Sequence, residues 1–419
     1  MNTTPPTANA GAVLDLVEIG PSARLDHVTP ADFDAFRHYL NTAGILNAPR
    51  SAARGPGWMV LDLGCAIEGV MATAVAELNI VPAGIHAYRI TQRSTIRLEP
   101  LDYLSNLVPM AVPGATYDGR TNYIGPTPAD TCRLIEHQHR YAAAMVDELG
   151  RCLEDALPET TITSEESIRL RRAELCRDEA VDDPLDATLL LCHSVVQGTR
   201  WLERSVYRAG AAGEQGCPVA RWWRQRKGAA YKVYAKAAAK HGDTGALRKE
   251  VACQGRKALQ QLGCGQRPGW AKEDVTALLI EFITAALPLL DTLDSHVRDV
   301  LGSSIQPSDL FVALSPLVLP MSGAPTGGRP TSREQVAQLR YAFDSIVLTG
   351  QYRGKGLRKG VTMRSLLDEL CDSGGPLEKH PSLCLYMLKP QFVRASRAFA
   401  TGEMGAERVT GSNLSKGEA

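Results

Sequence analysis

A pair of strand-like segments joined by a turn constrains the fold of this chain more than any other stretch. Residues 231–236 read Tyr-Lys-Val-Tyr-Ala-Lys and residues 246–252 read Ala-Leu-Arg-Lys-Glu-Val-Ala, and both have the character of strands. Between them, residues 242–245 read Gly-Asp-Thr-Gly, which is typical of a turn. The sequence therefore predicts two strands connected by a turn.

The same region is strongly basic and contains aromatic residues. Residues 221–227 read Arg-Trp-Trp-Arg-Gln-Arg-Lys, although the whole chain has 46 Lys and Arg against 46 Asp and Glu. A local basic patch attracts phosphate, and exposed aromatic rings stack on unpaired bases. The alternative for the two tryptophans is core packing, with one buried and the other exposed. The predicted DNA-binding residues are Arg221, Trp222, Trp223, Arg224, Arg226, Lys227, Lys232 and Arg248.

Patterns elsewhere predict a mixture of strands and helices. Apolar or alternating segments indicate strands over 58–63, within 85–98 and over 168–178. Pro288 predicts a kink or break in the helix that contains it. Helical spacing predicts helices over 69–78, 128–157, 185–204, 256–262, 271–301, 333–348 and 362–371.

The chain of 419 residues is long enough for two domains. Small and polar residues predict disordered tails at both ends. We expect tails over 1–12 and 403–419, an α/β domain over 13–265, and a mainly helical domain over 266–402 with a linker at 320–332.

The ten cysteines lack a Cys-x-x-Cys pair, which argues against a zinc ribbon or a disulfide framework. Cys176 and Cys192 lie in apolar runs and are predicted to be buried free thiols, which indicates a reducing setting. The first residues lack the pattern of a signal peptide, and no apolar run approaches the roughly 20 residues of a membrane helix. A cytoplasmic protein without a membrane partner is expected.

Acidic residues on two predicted strands form a candidate metal site. Side chains alternate along a strand, so Glu174 and Asp178 share one face, and two such carboxylates require a metal ion or an arginine nearby. Glu250 would join them if the strands are neighbours. The alternatives are solvated charges on an edge strand and a salt bridge between Arg248 and Glu250.

Tyr234 is the first candidate for a nucleophile. In a strand, Lys232, Tyr234 and Lys236 share one face, and neighbouring lysines would stabilise the phenolate for attack on a phosphodiester. The alternative is a tyrosine whose ring packs on a basic surface strand.

The order of these segments resembles that of the rolling-circle replication initiators of filamentous phages and related plasmids. Arg-x-Glu-x-x-x-Asp at 172–178 is followed by Tyr-x-Lys at 234–236, by Arg-x-Glu at 248–250, and by a helix that ends at Gly263. Weaker similarities lie upstream and downstream, so that the resemblance spans roughly residues 85–374.

The resemblance implies an α+β fold with a central antiparallel sheet, flanking helices and a helical C-terminal part. It also implies a nickase that links a tyrosine to a 5′-phosphate and leaves a 3′-OH for a polymerase. The implied partners are single-stranded and supercoiled origin DNA, together with host replication proteins. The implied site residues are Tyr234, Tyr231 and Lys236 for catalysis, and Glu174, Asp178 and Glu250 for Mg²⁺ or Mn²⁺.

The chain departs from the family pattern at several positions. Lys240 and Lys249 stand where relatives carry an acid and a tyrosine, respectively, and residues 120–122 replace a Gly-His-Asn loop. The nucleophile therefore stays open, with Tyr231 after Tyr234. Two further tyrosines, Tyr207 and Tyr123, stand behind them.

Residues 60–69 resemble the first motif of S-adenosylmethionine-dependent methyltransferases, in which a strand ends at a Gly-rich turn and a helix follows. Here the motif contains Asp62-Leu63-Gly64, but Ala66 replaces its central glycine and residues 84–88 lack the expected acid. A methyltransferase is therefore an alternative function. A non-catalytic DNA-binding protein that uses the basic patch is the third.

Overall fold

The computed structural model describes the chain with gaps. The described residues are 11–100, 103–104, 128–157, 161–162, 167–196, 199, 201–207, 217–224, 228–235, 246–317, 333–354, 362–372, 374–380 and 385–401. Several predictions lie outside these residues, among them those for Lys236, Arg226, Lys227, Tyr123, Lys240, residues 403–419 and the linker 320–332.

The protein is a mixed α+β structure with a large antiparallel sheet, as predicted. The strands are β1 (Val13–Asp26), β2 (Trp58–Ile67), β3 (Val70–Gly84), β4 (Ala87–Ile90), β5 (Thr95–Leu98), β6 (Thr161–Ile162), β7 (Ser167–Ala180), β8 (Trp201–Tyr207), β9 (Cys217–Trp223), β10 (Ala229–Ala235), β11 (Ala246–Gln254), β12 (Gln266–Pro268), β13 (Gln351–Arg353), β14 (Leu377–Lys379) and β15 (Leu385–Leu388). The helices in the described part are α1 (Pro30–Thr42), α2 (Ala48–Arg54), α3 (Pro128–Ala156), α4 (Pro184–Leu191), α5 (Arg256–Gln261), α6 (Lys272–Leu301), α7 (Pro307–Leu314), α8 (Arg333–Thr349), α9 (Thr362–Glu369) and α10 (Val393–Thr401).

The chain divides into two compact units. The first comprises Met1–Pro184, Val206–Cys217 and Trp223–Thr292, and the second comprises Leu185–Ser205, Pro218–Trp222 and Leu293–Ala419. In the first unit the strands run in the order β2-β3-β4-β1-β7-β11-β10, while β5 and β6 pair with β1, and β12 pairs with β7. The pairings of β1, β7, β10 and β11 are antiparallel.

Helix α3 packs on the sheet of the first unit through its apolar side. Leu134, Tyr141, Met145 and Leu149 are buried, as the predicted helical face requires. The buried side chain of Gln138 bonds to the backbone of Leu14 at both its amide (3.0 Å) and its carbonyl (2.8 Å). This amide side chain therefore satisfies backbone groups of β1 in the way a neighbouring strand would.

Residues 70–78 form part of strand β3, so the helix predicted over 69–78 is wrong. Strand β3 pairs with β2 from Trp58 opposite Asn79 to Ile67 opposite Val70. Glu68 and Gly69 both have positive φ, 50° and 82°, which suits the two-residue turn of a hairpin. Alternation of buried and exposed residues along β3 outweighs the helix propensity of its alanines.

The hairpin also removes the structural basis of the methyltransferase interpretation. Gly64 lies within β2 opposite Thr73, and the segment after the turn is a strand rather than a helix. No backbone turn therefore approaches a cofactor at Asp62-Leu63-Gly64.

The helix predicted over 185–204 is only partly present. Helix α4 ends at Leu191, and residues from Trp201 onward form β8. The sequence between them contains Val195, Val196 and Gly198, which have low helix propensity.

Helix α6 continues through Pro288, so the proline does not end it. Among the described helices, it is the one long and apolar enough to cross a membrane by length and composition alone. Its residues Val275, Leu278 and Phe282 are fully buried in the protein. Its apolar side thus forms part of a protein core.

The second unit contains a small sheet as well as helices. Strand β15 pairs with both β13 and β14. In its core, the indole of Trp222 donates to the carbonyl of Ser194 (2.9 Å), and the Ser194 hydroxyl lies 2.8 Å from Nε2 of His296. These buried polar groups satisfy each other.

Two buried histidines make stability depend on pH. Burial lowers the pKa of His139 and of His296 to about 4. An unfolded histidine has a pKa near 6.5, so below that pH the unfolded chain binds more protons than the native protein. The stability that these neutral imidazoles contribute to the folded protein is therefore complete above about pH 6.5 and is lost as the pH falls towards 4.

The unmodified protein should lose free energy of unfolding when the pH falls from about 7.5 to about 5.5. We expect this loss to be about 1 kcal/mol smaller in His296→Gln. Denaturant titrations at both pH values measure this difference. The exposed His38 on α1 provides the control, because His38→Gln removes a side chain that is solvated in both states. An equal pH dependence of His296→Gln and the unmodified protein would contradict the prediction.

Candidate active site

Strands β7, β11 and β10 lie side by side and bring the predicted polar residues onto one face. Glu250 is opposite Cys176 on β7 and opposite Lys232 on β10. Arg248 is opposite Asp178 on β7 and opposite Tyr234 on β10. Paired residues point to the same side of an antiparallel sheet. Strands β7 and β11 are neighbours, which is the condition under which Glu250 was expected to join Glu174 and Asp178.

Lys232 lies between two carboxylates at the centre of this face. Its Nζ donates to Glu174 Oε1 (2.7 Å) and to Glu250 Oε2 (3.0 Å), and all three residues are buried. Burial disfavours the charged ammonium, but Glu250 and Glu174 outweigh that effect and raise the pKa of Lys232. The lysine is therefore a buried cation, and in this arrangement its ammonium faces two carboxylates and is not available to a DNA phosphate.

Asp15 is a member of the cluster that the sequence patterns missed. The pairing of β1 with β7 shifts between Leu14 and Leu16, so Asp15 is the extra residue of a β-bulge. Carboxylate oxygens of Asp15, Glu174 and Glu250 all lie within 4.8 Å of one another. The available signal was a single acid inside the apolar strand run Val-Leu-Asp-Leu-Val.

Asp15 and Glu250 share the negative charge unequally. Burial raises the pKa of Asp15 to about 7, against the attraction of Arg248 and with the repulsion of Glu250 and Glu174. Burial also disfavours ionised Glu250, but Lys232 and Arg248 hold the pKa of that carboxyl well below its usual range. Near neutral pH the proton of this pair therefore resides on Asp15.

Arg248 holds Asp178 away from the other carboxylates. Its Nε and Nη2 donate to the two oxygens of Asp178 (2.8 and 3.0 Å), and its Nη1 donates to Asp15 (3.1 Å). Both oxygens of Asp178 are thus engaged by a buried guanidinium. The third carboxylate beside Glu174 and Glu250 is that of Asp15, where the sequence had predicted Asp178 as a metal ligand. Arg248, at 4% side-chain exposure, is not available to a DNA phosphate either.

Tyr234 is positioned against the cluster, but its phenolate is not stabilised as predicted. Its hydroxyl donates to Glu250 Oε1 at 2.5 Å. Burial, followed by the negative charge of Glu250, raises the pKa of Tyr234 well above its ordinary value. The predicted shared face with Lys232 is correct, but both side chains bind the same carboxylate, so Tyr234 is a neutral hydrogen-bond donor.

Tyr231 lies on the same strand but is separated from the cluster. It is opposite Val251, one residue out of phase with Lys232, and it is 2% exposed. Burial raises its pKa. Its side chain therefore points to the other side of the sheet, away from the carboxylates. Tyr231 thus provides a comparison for Tyr234.

The aromatic and basic segment is only partly exposed. Trp222 is fully buried, so the prediction that it stacks on bases is wrong, whereas the alternative of core packing is correct. Trp223, Arg221 and Arg224 are half-buried. A pair of adjacent strand residues points to opposite sides, which explains why one tryptophan is in the core and the next is accessible.

The histidines His86, His137 and His139 belong to no cluster of metal-ligating side chains among the described residues. His137 lies 3.6 Å from Glu68, whereas His139 is buried away from it. Tyr88, two residues after His86, stacks its ring on that of Phe33 with a centroid distance of 4.5 Å. Asp62 accepts a hydrogen bond from Asn47 (3.0 Å).

The carboxylates match a divalent metal in donor type but already surround a cation. Oxygen donors such as those of Asp15, Glu174 and Glu250 suit Mg²⁺ or Mn²⁺. The ammonium of Lys232 takes the position between two of them. A metal bound by all three residues must therefore displace this ammonium.

No family model matches this chain, and no curated protein matches it. A solved rolling circle replication initiator protein from Geobacillus stearothermophilus is similar with a TM-score of 0.26 and 10% identity, over 79% of this chain and 96% of its own. The di-domain ARO/CYC BexL from the BE-7585A biosynthetic pathway has a TM-score of 0.15 and 12% identity, and the match covers 67% of this chain and 98% of that protein. DynU16, a protein in the dynemicin biosynthetic locus, has a TM-score of 0.14 and 12% identity, and the match covers 68% of this chain and 99% of that protein. TM-scores this low do not establish a shared fold, so function rests on the site.

Removing the central ammonium should convert the cluster into a metal site. Lys232→Gln leaves Glu174 and Glu250 without their shared partner, which should lower the free energy of unfolding by about 3 kcal/mol. Mn²⁺ should restore about 2.7 kcal/mol at a concentration one hundred times its Kd. Denaturant titrations with and without Mn²⁺ measure both effects.

Lys249→Gln provides the matched control. Lys249 is also a buried lysine of this sheet, but its Nζ binds Glu179 (2.7 Å), a partly exposed carboxylate outside the cluster. Mn²⁺ should not restore its stability. Equal responses of the two variants to Mn²⁺, or no response of Lys232→Gln, would contradict a metal-binding capacity of the cluster.

Proposed function

We propose that this chain is a DNA-nicking replication initiator of the rolling-circle type that uses Tyr234 as its nucleophile. The observation that carries the proposal is the hydrogen bond from the Tyr234 hydroxyl to Glu250 within a cluster of three carboxylates. A tyrosine hydroxyl with a carboxylate at hydrogen-bond distance is a nucleophile with an adjacent proton acceptor. The order of the strands that supply these residues matches the motif order of the initiator family.

In the proposed reaction, the Tyr234 oxygen attacks a backbone phosphorus and its proton passes to Glu250. The bond from phosphorus to the 3′-oxygen breaks, and this oxygen takes a proton from water. The products are a 5′-phosphotyrosyl link and a free 3′-OH. Because the pKa of Tyr234 is raised, its proton leaves during the attack rather than before it.

Asp15, Glu174 and Glu250 would hold Mg²⁺ or Mn²⁺, which would polarise the scissile phosphate. Lys232 would then leave its position between Glu174 and Glu250. A released ammonium close to the cluster would contact the phosphate as a compact positive charge. Arg248 stays with Asp178 and positions the carboxylate of Asp15.

The proposed substrates are single-stranded and supercoiled origin DNA, and the proposed location is the cytoplasm. The eight cysteines whose side chains the structure describes are free thiols, including the predicted Cys176 and Cys192. Free thiols are typical of proteins that work in reducing compartments. Host replication proteins would use the free 3′-OH.

We expect Tyr234→Phe to abolish formation of a covalent protein–DNA product, a loss of more than about a thousandfold. The substrate is a pool of random-sequence single-stranded oligonucleotides labelled at the 3′ end, with Mn²⁺ present. The labelled fragment keeps the 5′-phosphate and remains attached to the protein during denaturing electrophoresis.

Tyr231→Phe is the control, since it removes a hydroxyl from the same strand but on the side away from the cluster. This variant should retain the covalent band. Loss of the band in Tyr231→Phe alone would move the nucleophile to that residue. A protein that binds the pool without forming a band would favour the non-catalytic DNA-binding alternative.

A further inference from the structure

A second group of cations lies on the same sheet face as the carboxylate cluster. Along β1, Leu16 is opposite Glu174, Glu18 is opposite Arg172, and Gly20 is opposite Arg169. Alternate residues of a strand point to one side, so this face continues unbroken from the cluster to Arg169. The distance along β1 from Leu16 to Gly20 is roughly 13 Å.

A β-bulge brings a second arginine onto this face. The pairing shifts between Glu18 and Ile19, which leaves Arg171 as the extra residue of β7. A Cβ placed on Gly20 would lie 2.9 Å from Cδ of Arg171 and 3.5 Å from Cγ of Arg169. Both arginine stems therefore cross over Gly20, and a larger residue at this position would displace them.

These arginines are held by carbonyl and amide oxygens rather than by carboxylates. Arg169 donates to Gln92 at its side chain (3.0 Å) and its carbonyl (2.7 Å), and Arg171 donates to the carbonyl of Arg93 (2.5 Å). Burial, then the charges of Arg171 and Arg256, lower the pKa of Arg169. Uncompensated positive charge thus accumulates here.

Two exposed cations extend the group. Gly255 donates to the carbonyl of Arg171 (2.8 Å), which places Arg256 beside it at the start of α5. Arg93 is exposed in the turn whose carbonyls hold Arg171. No salt bridge joins any of the four arginines to a carboxylate of the described residues. We name this set the arginine groove: Arg93, Arg169, Arg171 and Arg256.

The arginine groove borders a concave surface. An open cavity of about 770 Å³ is lined by Ser22, Gln92, Ser167 and Gln266, among others. Ser22 and Ser167 are opposite one another, as are Gln266 and Arg169, so these side chains continue the same face. Small and amide side chains between cations suit an extended polyanion that lies in a groove.

We propose that the arginine groove binds the phosphate backbone of a single DNA strand and leads it towards Tyr234. The proposal rests on the function proposed above, because it assigns a binding path to that substrate. A single strand fits this surface because the cations border an open cavity whose lining combines polar side chains such as Gln92 and Gln266 with small apolar ones such as Val81 and Pro268. Such a surface can contact both the phosphates and the bases of one strand.

The test compares two double variants in the Tyr234→Phe background, with a chelator present so that no nicking occurs. Arg93→Gln with Arg256→Gln removes two exposed cations of the groove. Arg37→Gln with Lys272→Gln removes two exposed cations from α1 and from the start of α6. Fluorescence anisotropy with labelled oligothymidylate measures affinity between about 50 and about 200 mM salt.

We expect the groove variant to bind more weakly and to reduce the slope of log K against log salt by about 1.4, since each lost phosphate contact contributes about 0.7. The control variant should bind as the parent does. Equal slopes for both variants would overturn the proposal. So would a groove variant that loses binding to phosphatidylglycerol vesicles while it binds oligothymidylate normally.

Failure of this proposal can be distinguished from failure of the proposed function. Binding is measured without nicking, so a groove effect stands even if no covalent product forms in the Tyr234 experiment. Conversely, covalent product formation together with equal binding slopes would retain the nickase and reject the groove.

Discussion

The ammonium of Lys232 between Glu174 and Glu250 is the interaction on which the rest of the site depends. Four buried or half-buried carboxylates, counting Asp15 and Asp178, meet three cations, counting Arg172 and Arg248. Burial raises the pKa of Asp15 to about 7, so this carboxyl takes up the proton that would balance the charges as the pH falls through neutrality. A buried set of this kind is stable only while it stays paired, so Lys232 fixes the geometry of three strands at once.

The same pairing links stability to the proposed chemistry. Lys232 and Arg248 lower the pKa of Glu250 and so favour its ionised form. The carboxylate therefore accepts a hydrogen bond from the Tyr234 hydroxyl. A divalent metal ion would take the place of the Lys232 ammonium rather than enter an empty site. Cation exchange at Lys232 would thus accompany activation, and it would release a positive charge where a phosphate has to bind.

Two β-bulges shape the functional face. The bulge at Asp15 directs a third carboxylate into the cluster, and the bulge at Arg171 directs an additional cation onto the same side. Each bulge is an extra residue in one strand, so it changes the side to which a residue points without breaking the sheet. The face therefore carries a cluster of paired carboxylates and cations at one end and, at the other, arginines without carboxylate partners among the described residues.

The sequence determined the strands that carry Glu174, Tyr234 and Glu250, because period-two alternation and turn residues act locally. It did not determine the hairpin at residues 58–84, since its alanines favour helices and only pairing with β2 makes them a strand. The roles of Asp15, Trp222 and Arg248 were decided by tertiary structure alone. Bulges, burial and ion-pair partners depend on residues distant in the chain, and no local pattern records them.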